Sequence, residues 1–396
     1  MRIALVHSFH HRDVPSGENV VVNAQEEALV AAGHEVVVVA QDNDVRSRRR
    51  TYPLEAAATV VTGFGPDPTA MLHRIRPDVV HVHNLFPNFG TRWLARWEGP
   101  LVATLHNFRP ICPAGTLLRD GKRCTDCVHT PRAAVTHRCF QESRVATLPL
   151  AVSTRGGATR HPVVRRADRL ITISERAAAE YCAVGVDPHR LVVVPNAVPD
   201  DELGPVRSAV AHETDPRWVF LGRLSAEKGL AELLARWPAG LQLDVIGSGG
   251  QEQELRAAHA DRPEVRFLGA MSNVEVRARL ASYTGLVVPS LWAEAGPPLT
   301  YVEALAAGVP VVAVEGNGAA DDIARNGTGV VVGPIQQRSG SAPLRVPDED
   351  LAVALKDVAR DRPRLSPRAR AVYEQHFSTD AWVRALTDVY REAARG

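Results

Sequence analysis

Two cations five positions apart, Arg223 and Lys228, stand in the run Phe220-Leu221-Gly222-Arg223-Leu224-Ser225-Ala226-Glu227-Lys228-Gly229, where an apolar strand opens into a polar loop before a helix. Ligands of open parallel sheets bind beyond the carboxyl ends of the strands. A guanidinium offers a planar fork for phosphate oxygens and an ammonium a mobile point charge, so the pair suits a diphosphate leaving group. A solvated loop is the plain alternative for any two cations at this spacing.

A second run, from Pro289 to Pro310, narrows that choice. A strand ends, a Gly/Pro loop carrying Glu294 and Gly296 follows, and a helix opens near Leu299-Thr300 and carries Glu303. Backbone N–H groups at such a helix start form an anion site, and Gly296 lets a ligand come close. Two carboxylates beside a phosphate site make sense as acceptors for sugar or ribose hydroxyls, so the combination suggests a glycosylated diphosphate.

Other candidates are weaker. His106 follows the apolar run 101–105 and so stands at the mouth of a sheet, although twelve of the fifteen histidines lie in the front half, where most must be incidental. Asp42-Asn43-Asp44 has the look of an acidic metal pair but reads as a turn. Gly247-Ser248-Gly249-Gly250 is an incomplete dinucleotide fingerprint. Cys112, Cys124, Cys127 and Cys139 form a Cys-x2-Cys pair flanked by single cysteines, and a structural zinc and reduced thiols both stay open. Cys182 reads as packing.

The elements that would position these residues alternate short β-rich runs with helical periodicity, the pattern of parallel α/β sheets. Strands are expected at 3–6, 35–40, 79–82, 101–105 and 170–174, with a helix over 20–32 ending at Gly33. A second series is expected at 218–221, 241–246, 265–268, 286–288, 309–314 and 330–332. The proline-rich and acidic stretch between them reads as a linker at 196–216. The tail reads as helices, the last placing Trp382, Leu386, Val389 and Tyr390 on one face. For 396 residues, two domains are the natural expectation.

Net charge is +1, but residues 1–197 hold 24 Lys+Arg against 18 Asp+Glu. A basic front half suits an anionic partner or membrane surface. The run Arg46-Ser47-Arg48-Arg49-Arg50 lacks interleaved aromatics, so nucleic-acid binding is not expected. Neither a signal peptide nor a membrane span is legible, which points to a cytoplasmic protein, with peripheral contact at the inner membrane face left open.

Taken together, these segments resemble the family 4 glycosyltransferases. The similarity runs through Pro15-Ser16-Gly17-Glu18-Asn19, the run from Arg76 to Asn84, Thr104-Leu105-His106-Asn107-Phe108-Arg109, Val194-Pro195-Asn196, the Arg/Lys loop and the Glu-rich segment. It implies a GT-B fold: two face-to-face Rossmann-like domains, 1–195 on the acceptor side with a Cys-containing insertion at about 107–145, and 217–378 on the donor side. A last helix, 379–396, would pack toward the first domain. It further implies that Arg223 and Lys228 contact the donor diphosphate and Glu303 the ribose, that Glu294 and His106 approach the donor sugar, and that Gly17 and Gly222 admit phosphate. The base would rest at the segment containing Leu268. Family members usually place seven residues between the two Glu; here eight intervene, and the extra one is assigned to the loop 295–298.

The implied reaction is sugar transfer from a nucleoside-diphosphate sugar to an acceptor hydroxyl, with retention and without a catalytic metal or cofactor. A lipid-linked glycan of cell-surface biosynthesis and a small natural product are the alternative acceptors. The rivals are a non-catalytic nucleotide or carbohydrate-binding module, a nicotinamide-dependent enzyme, and a phosphorylase acting on a sugar phosphate.

Overall fold

A computed structural model describes residues 1–10, 16–119, 122–200, 216–291, 294–333 and 348–395. Most of the expected linker, 201–215, lies outside these, as do Pro15 and residues 292 and 293 of the Glu-rich segment. The chain divides into two compact units, one of residues 1–119, 124–196 and 382–396, the other of 120–123 and 197–381. Residues 197–200, read as linker, belong to the second unit: Val198 is buried there, and its carbonyl accepts from the Tyr373 hydroxyl at 2.7 Å.

In the first unit β1 (Arg2–Phe9), β2 (Glu35–Asp42), β3 (Val79–Asn84), β4 (Leu101–Leu105), β5 (Arg169–Thr172) and β6 (Leu191–Val193) form one sheet in the order β2-β1-β3-β4-β5-β6. Every pair is parallel. Ile3, Ala4, Leu5 and Val6 have no exposed surface, as expected where helices cover both faces. The short strand β6 is absent from the sequence reading, being three residues in a run that also reads as loop. Helix α1 (Gly17–Ala31) starts three residues earlier than its apolar pattern, because the Ser16 side chain caps it by accepting from Asn19 N–H.

The second unit repeats the plan with β7 (Arg217–Leu221), β8 (Gln242–Ile246), β9 (Val265–Gly269), β10 (Gly285–Val288), β11 (Val311–Val314) and β12 (Gly329–Val332), in the order β9-β8-β7-β10-β11-β12. All pairs are again parallel. Strand order reverses between β7 and β10, so their carboxyl ends open the crevice where such sheets hold ligands. Helix α2 (Leu299–Ala306) follows β10 and α3 (Gly318–Asn326) follows β11. A 25-residue helix, α4 (Asp348–Val372), carries Pro363 and Pro367 internally. The last helix, α5 (Thr379–Arg395), buries Trp382, Leu386, Val389 and Tyr390. Within the first unit Tyr390 Oη lies 2.8 Å from His81 Nδ1 and accepts from Gln25 Nε2 at 2.8 Å.

Candidate functional site

Two loops meet at the switch point of the second sheet. Gly229, at φ +70°, has no side chain where a Cβ would stand 2.2 Å from the Pro289 carbonyl oxygen. Leu291 N–H donates to the Glu227 carbonyl at 2.9 Å. The loop after β7 is thereby bound to the loop after β10, and Lys228, next to the contact glycine, reaches Glu294 in a direct Nζ–Oε1 ion pair. Both side chains are largely withdrawn from water, at 18% and 9% exposure. Arg223 differs: it is half exposed and, among the described residues, pairs with Glu227 at 3.4 Å. It is the more available of the two cations for an incoming anion.

The loop after β8 completes the rim. A Cβ on Gly247 would stand 1.9 Å from the Gly222 carbonyl oxygen, and one on Gly249 would stand 2.4 Å from that of Leu224. Leu224 N–H also donates to the Ser248 carbonyl at 2.9 Å. The glycine cluster that resembles a dinucleotide fingerprint is therefore required by loop-on-loop packing, which removes the sequence argument for a nicotinamide site.

Gly296 and the start of α2 are held from behind. Asn317 caps α3 by accepting from Ala320 N–H at 3.0 Å, and its amide donates to the carbonyls of Val288 (3.2 Å) and Ser290 (3.3 Å). A Cβ on Gly318 would meet the Gly296 carbonyl oxygen at 2.4 Å. One turn into α2, Tyr301 donates to Asp322 at 2.5 Å and lies 2.9 Å from Thr328 Oγ1. These bonds fix the helix whose first residues are Leu299 and Thr300; their N–H groups precede the first intrahelical acceptor and face the carboxyl end of the sheet. Pro298 occupies the cap position without a capping side chain.

Glu303, on the same helix, is 7% exposed and lies 3.5 Å from the Arg277 guanidinium. Burial raises its carboxyl above the ordinary range, and Arg277 opposes that rise. Glu294 and Glu303 thus face different cations despite the extra loop residue. Leu268, half-buried at the end of β9, packs against the apolar core of the same unit.

Gly17, on the helix after β1, and His106, directly after β4, belong to the first unit, whose strand order reverses between β1 and β3. His106 Nε2 lies 2.9 Å from His83 Nδ1, and their rings stack at 5.2 Å. Burial holds the pKa of each down, His83 well down, so both imidazoles stay neutral at pH 7. Gly17 opens α1 and is exposed. The adjacent Glu18 connects it to the histidine: its Oε1 accepts from Asn107 Nδ2 at 2.7 Å and its Oε2 from Asn84 Nδ2 at 2.9 Å. His10 lies 3.5 Å from Glu18. Hydrogen bonds from His10 and Asn107 and the nearby histidines hold the Glu18 carboxyl far below the ordinary range against the cost of burial. Glu18, Asn84, Asn107 and Arg277 are not singled out by sequence pattern alone; the first three lie inside the motifs around Gly17, His83 and His106, whereas nothing marks Arg277 beyond its position on a charged helix.

Asp42 accepts from Asp44 N–H at 2.7 Å and caps the short helix Asn43–Arg46, as a turn residue does. Cys112, Cys124, Cys127 and Cys139 are not joined in disulfides. Burial and the neighbouring thiols push that of Cys127 up to about 11. Among the described residues no three His, Cys, Asp or Glu side chains are gathered as a metal would need. Nor is any described helix long and apolar enough to cross a membrane.

The model of Glycosyltransferase Family 4 matches residues 15–202, and that of Glycosyl transferases group 1 matches 215–342. Glycogen synthase of Mycobacterium tuberculosis is 25% identical over 393 residues, spanning 93% of this chain and 89% of the relative. Phosphatidyl-myo-inositol mannosyltransferase of Mycobacterium leprae is 27% identical over 387 residues, 91% of this chain and 90% of the relative. The structure of Anabaena Alr3699/HepE in complex with UDP-glucose matches with a TM-score of 0.60 at 17% identity, over 100% of this chain and 98% of that one.

Proposed function

This chain belongs to glycosyltransferase family 4, a nucleotide-sugar-dependent enzyme with the GT-B fold, and from that premise we propose that it moves a sugar from a nucleoside diphosphate to an acceptor hydroxyl with retention of configuration. The observation that carries the donor assignment is the joining of the loops after β7 and β10, which sets Arg223, Lys228 and the start of α2 at one switch point. The UDP-glucose held by the Anabaena protein supports a donor of this chemical class.

The diphosphate is assigned to Arg223, Lys228 and the N–H groups of Leu299 and Thr300, which Gly222 and Gly296 leave accessible. The ribose is assigned to Glu303, the base to the end of β9 at Leu268, and hydroxyls of the sugar to Glu294 and His106. Gly17 is assigned to the phosphates from the first unit. As the bond from the anomeric carbon to the diphosphate oxygen breaks, negative charge builds on the leaving group, and fixed cations and amides stabilise it most at that moment. The acceptor oxygen bonds to the anomeric carbon from the face being vacated, and its proton passes to a departing phosphate oxygen. No protein base and no catalytic metal enters this scheme, because two cations and a helix start supply the positive field.

A structural zinc at Cys112, Cys124, Cys127 and Cys139 is a separate proposal. Its support is that Cys112, Cys139 and Cys124 all lie near enough to act on the Cys127 thiol. Four thiolates would suit tetrahedral zinc, and binding would require these side chains to lose their protons and close around the ion. Metal-free purified protein that keeps its thermal stability in chelator would remove it.

The acceptor is proposed to belong to cell-surface glycan or glycoconjugate biosynthesis, since the mannosyltransferase relative is named for a phosphatidyl-inositol. The test of the donor reading is a nucleotide-release screen across uridine, guanosine, thymidine and adenosine diphosphate sugars. Release from none of them, with no thermal shift by any of the four diphosphates, would end it.

A further inference from the structure

The first unit contains a cavity of about 940 Å³ whose lining includes His83, Asn84, His106 and Asn107 at the carboxyl ends of β3 and β4. Its charge is one-sided: among the described residues seven arginines line it, and no aspartate or glutamate does. Three of the seven are engaged. Arg96 pairs with Asp67, Arg166 donates to the carbonyls of Trp97 and Gly99, and Arg92 donates to the Thr62 carbonyl while lying over the Phe64 ring.

The other four are arranged differently. Arg155, Arg160 and Arg165 are exposed and form no ion pair or side-chain hydrogen bond among the described residues. Arg109 stacks over Phe86 at 4.2 Å and donates from Nη1 to the Pro113 carbonyl at 3.0 Å, yet its Nε is buried with no acceptor. Burial and the adjacent Arg109 hold the pKa of His161, which also lines the cavity, at about 4, so it adds no charge near pH 7. Glu18, outside the lining, opposes the charge of Arg109, but Arg155, Arg160 and Arg165 have no acidic partner among the described residues, so the cavity attracts an anion. Planar forks at this density match a phosphate or diphosphate better than a single carboxylate.

We propose that this cavity is the acceptor site and that it selects an acceptor bearing a phosphate or diphosphate, held by Arg109, Arg155, Arg160 and Arg165 with its hydroxyl directed toward His106. The proposal rests on the glycosyltransferase reading only in calling the ligand an acceptor. A lipid-linked diphosphate and a soluble sugar phosphate share this chemistry. Exposed Val145 and Leu148 on the helix Arg144–Thr154, whose far end lines the cavity, would serve the former.

The test compares the parent with the triple variant R155A/R160A/R165A, whose exposed side chains leave the fold intact. Binding is measured by calorimetry, with nucleoside diphosphate saturating the donor site, for three probes: farnesyl diphosphate in detergent, glucose 6-phosphate, and glucose. The expected result is that at least one phosphorylated probe binds the parent and glucose does not, and that the variant loses about tenfold or more in affinity, the scale of one charge-assisted contact. The thermal shift by nucleoside diphosphate should be unchanged, and replacement by lysine at the three positions should restore part of the affinity. Preference for farnesyl diphosphate assigns a lipid-borne acceptor, and preference for glucose 6-phosphate a soluble one. Equal binding by parent and variant, or glucose bound as well as its phosphate, overturns the proposal. Because donor hydrolysis is read separately, loss of that activity would strike the donor reading and leave the phosphate-binding result to stand or fall alone.

Discussion

Replacing Lys228 separates a catalytic from a structural role for the ion pair at the switch point. Lys228→Met keeps the aliphatic stem but leaves Glu294, at 9% exposure, without its cation. Removing one member of a fully buried pair costs about 3–5 kcal/mol. Lys228 retains 18% exposure and water can reach the site, so about 2 kcal/mol is the reasonable figure after screening. For a unit of this size that lowers the Tm by about 4–8 °C. Loss of one preorganised cation facing the leaving group should lower kcat by about 10²–10³, or 3–4 kcal/mol. The double variant K228M/E294Q discriminates, because a neutral amide needs no cation and should recover most of the lost Tm. Because Glu294 is itself assigned to the donor sugar, E294Q alone is the reference: if Lys228 stabilises the departing diphosphate, turnover of the double variant stays well below that of E294Q. Differential scanning fluorimetry and a coupled nucleotide-release assay read the two effects independently. Turnover of K228M within a few-fold of the parent, or recovery of activity in step with Tm in the double variant, would refute a direct role in leaving-group stabilisation.

Arg223→Ala should cut kcat by about 10²-fold while moving the Tm by less than about 2 °C, because exposed pairs such as Arg223–Glu227 contribute little to stability; a large Tm loss with normal turnover would reverse the assignment. Gly229→Ala should lower both stability and turnover, since the new Cβ would overlap the Pro289 carbonyl at a positive φ, and an unchanged melting curve would contradict the described contact. Fully buried His7 and His81 are held near 4 and 3 by burial, so the folded state keeps them neutral while the unfolded chain protonates at about 6.5. Their contribution is complete above pH 6.5 and is lost as pH falls toward 4, by about 1.4 kcal/mol per histidine per pH unit. Urea midpoints at pH 7.5 and 5.5 should show that loss, and His81→Gln should reduce it; equal midpoints for the parent would refute the burial argument.

Much of the fold is written in local pattern. Eleven of the twelve strands of the two sheets fall on apolar β-rich runs that a parallel sheet demands. The final helix declares its buried face through Trp382, Leu386, Val389 and Tyr390. The missed strand, Leu191–Val193, is three residues at a sheet edge, too short for periodicity to register. The cations of the Arg/Lys loop and the carboxylates of the Glu-rich segment were legible as chemistry because each run pairs a strand end with a helix start.

What the sequence determined by itself was therefore which residues carry charge and which strand ends present them: Arg223 and Lys228 after one strand, Glu294 and Glu303 after another, His106 after a third. Which of them meet was decided only by the tertiary structure. Lys228 and Glu294 are 66 positions apart, and their pairing depends on β7 and β10 being neighbours and on Gly229 having no side chain. The seven cavity arginines come from three separate stretches of the first unit, and no spacing rule gathers them. Glu18, which binds Asn84 and Asn107, was hidden for the same reason. Periodicity reports which face of an element is buried, whereas the identity of its neighbour depends on strand order and loop contact, which are properties of the packed chain.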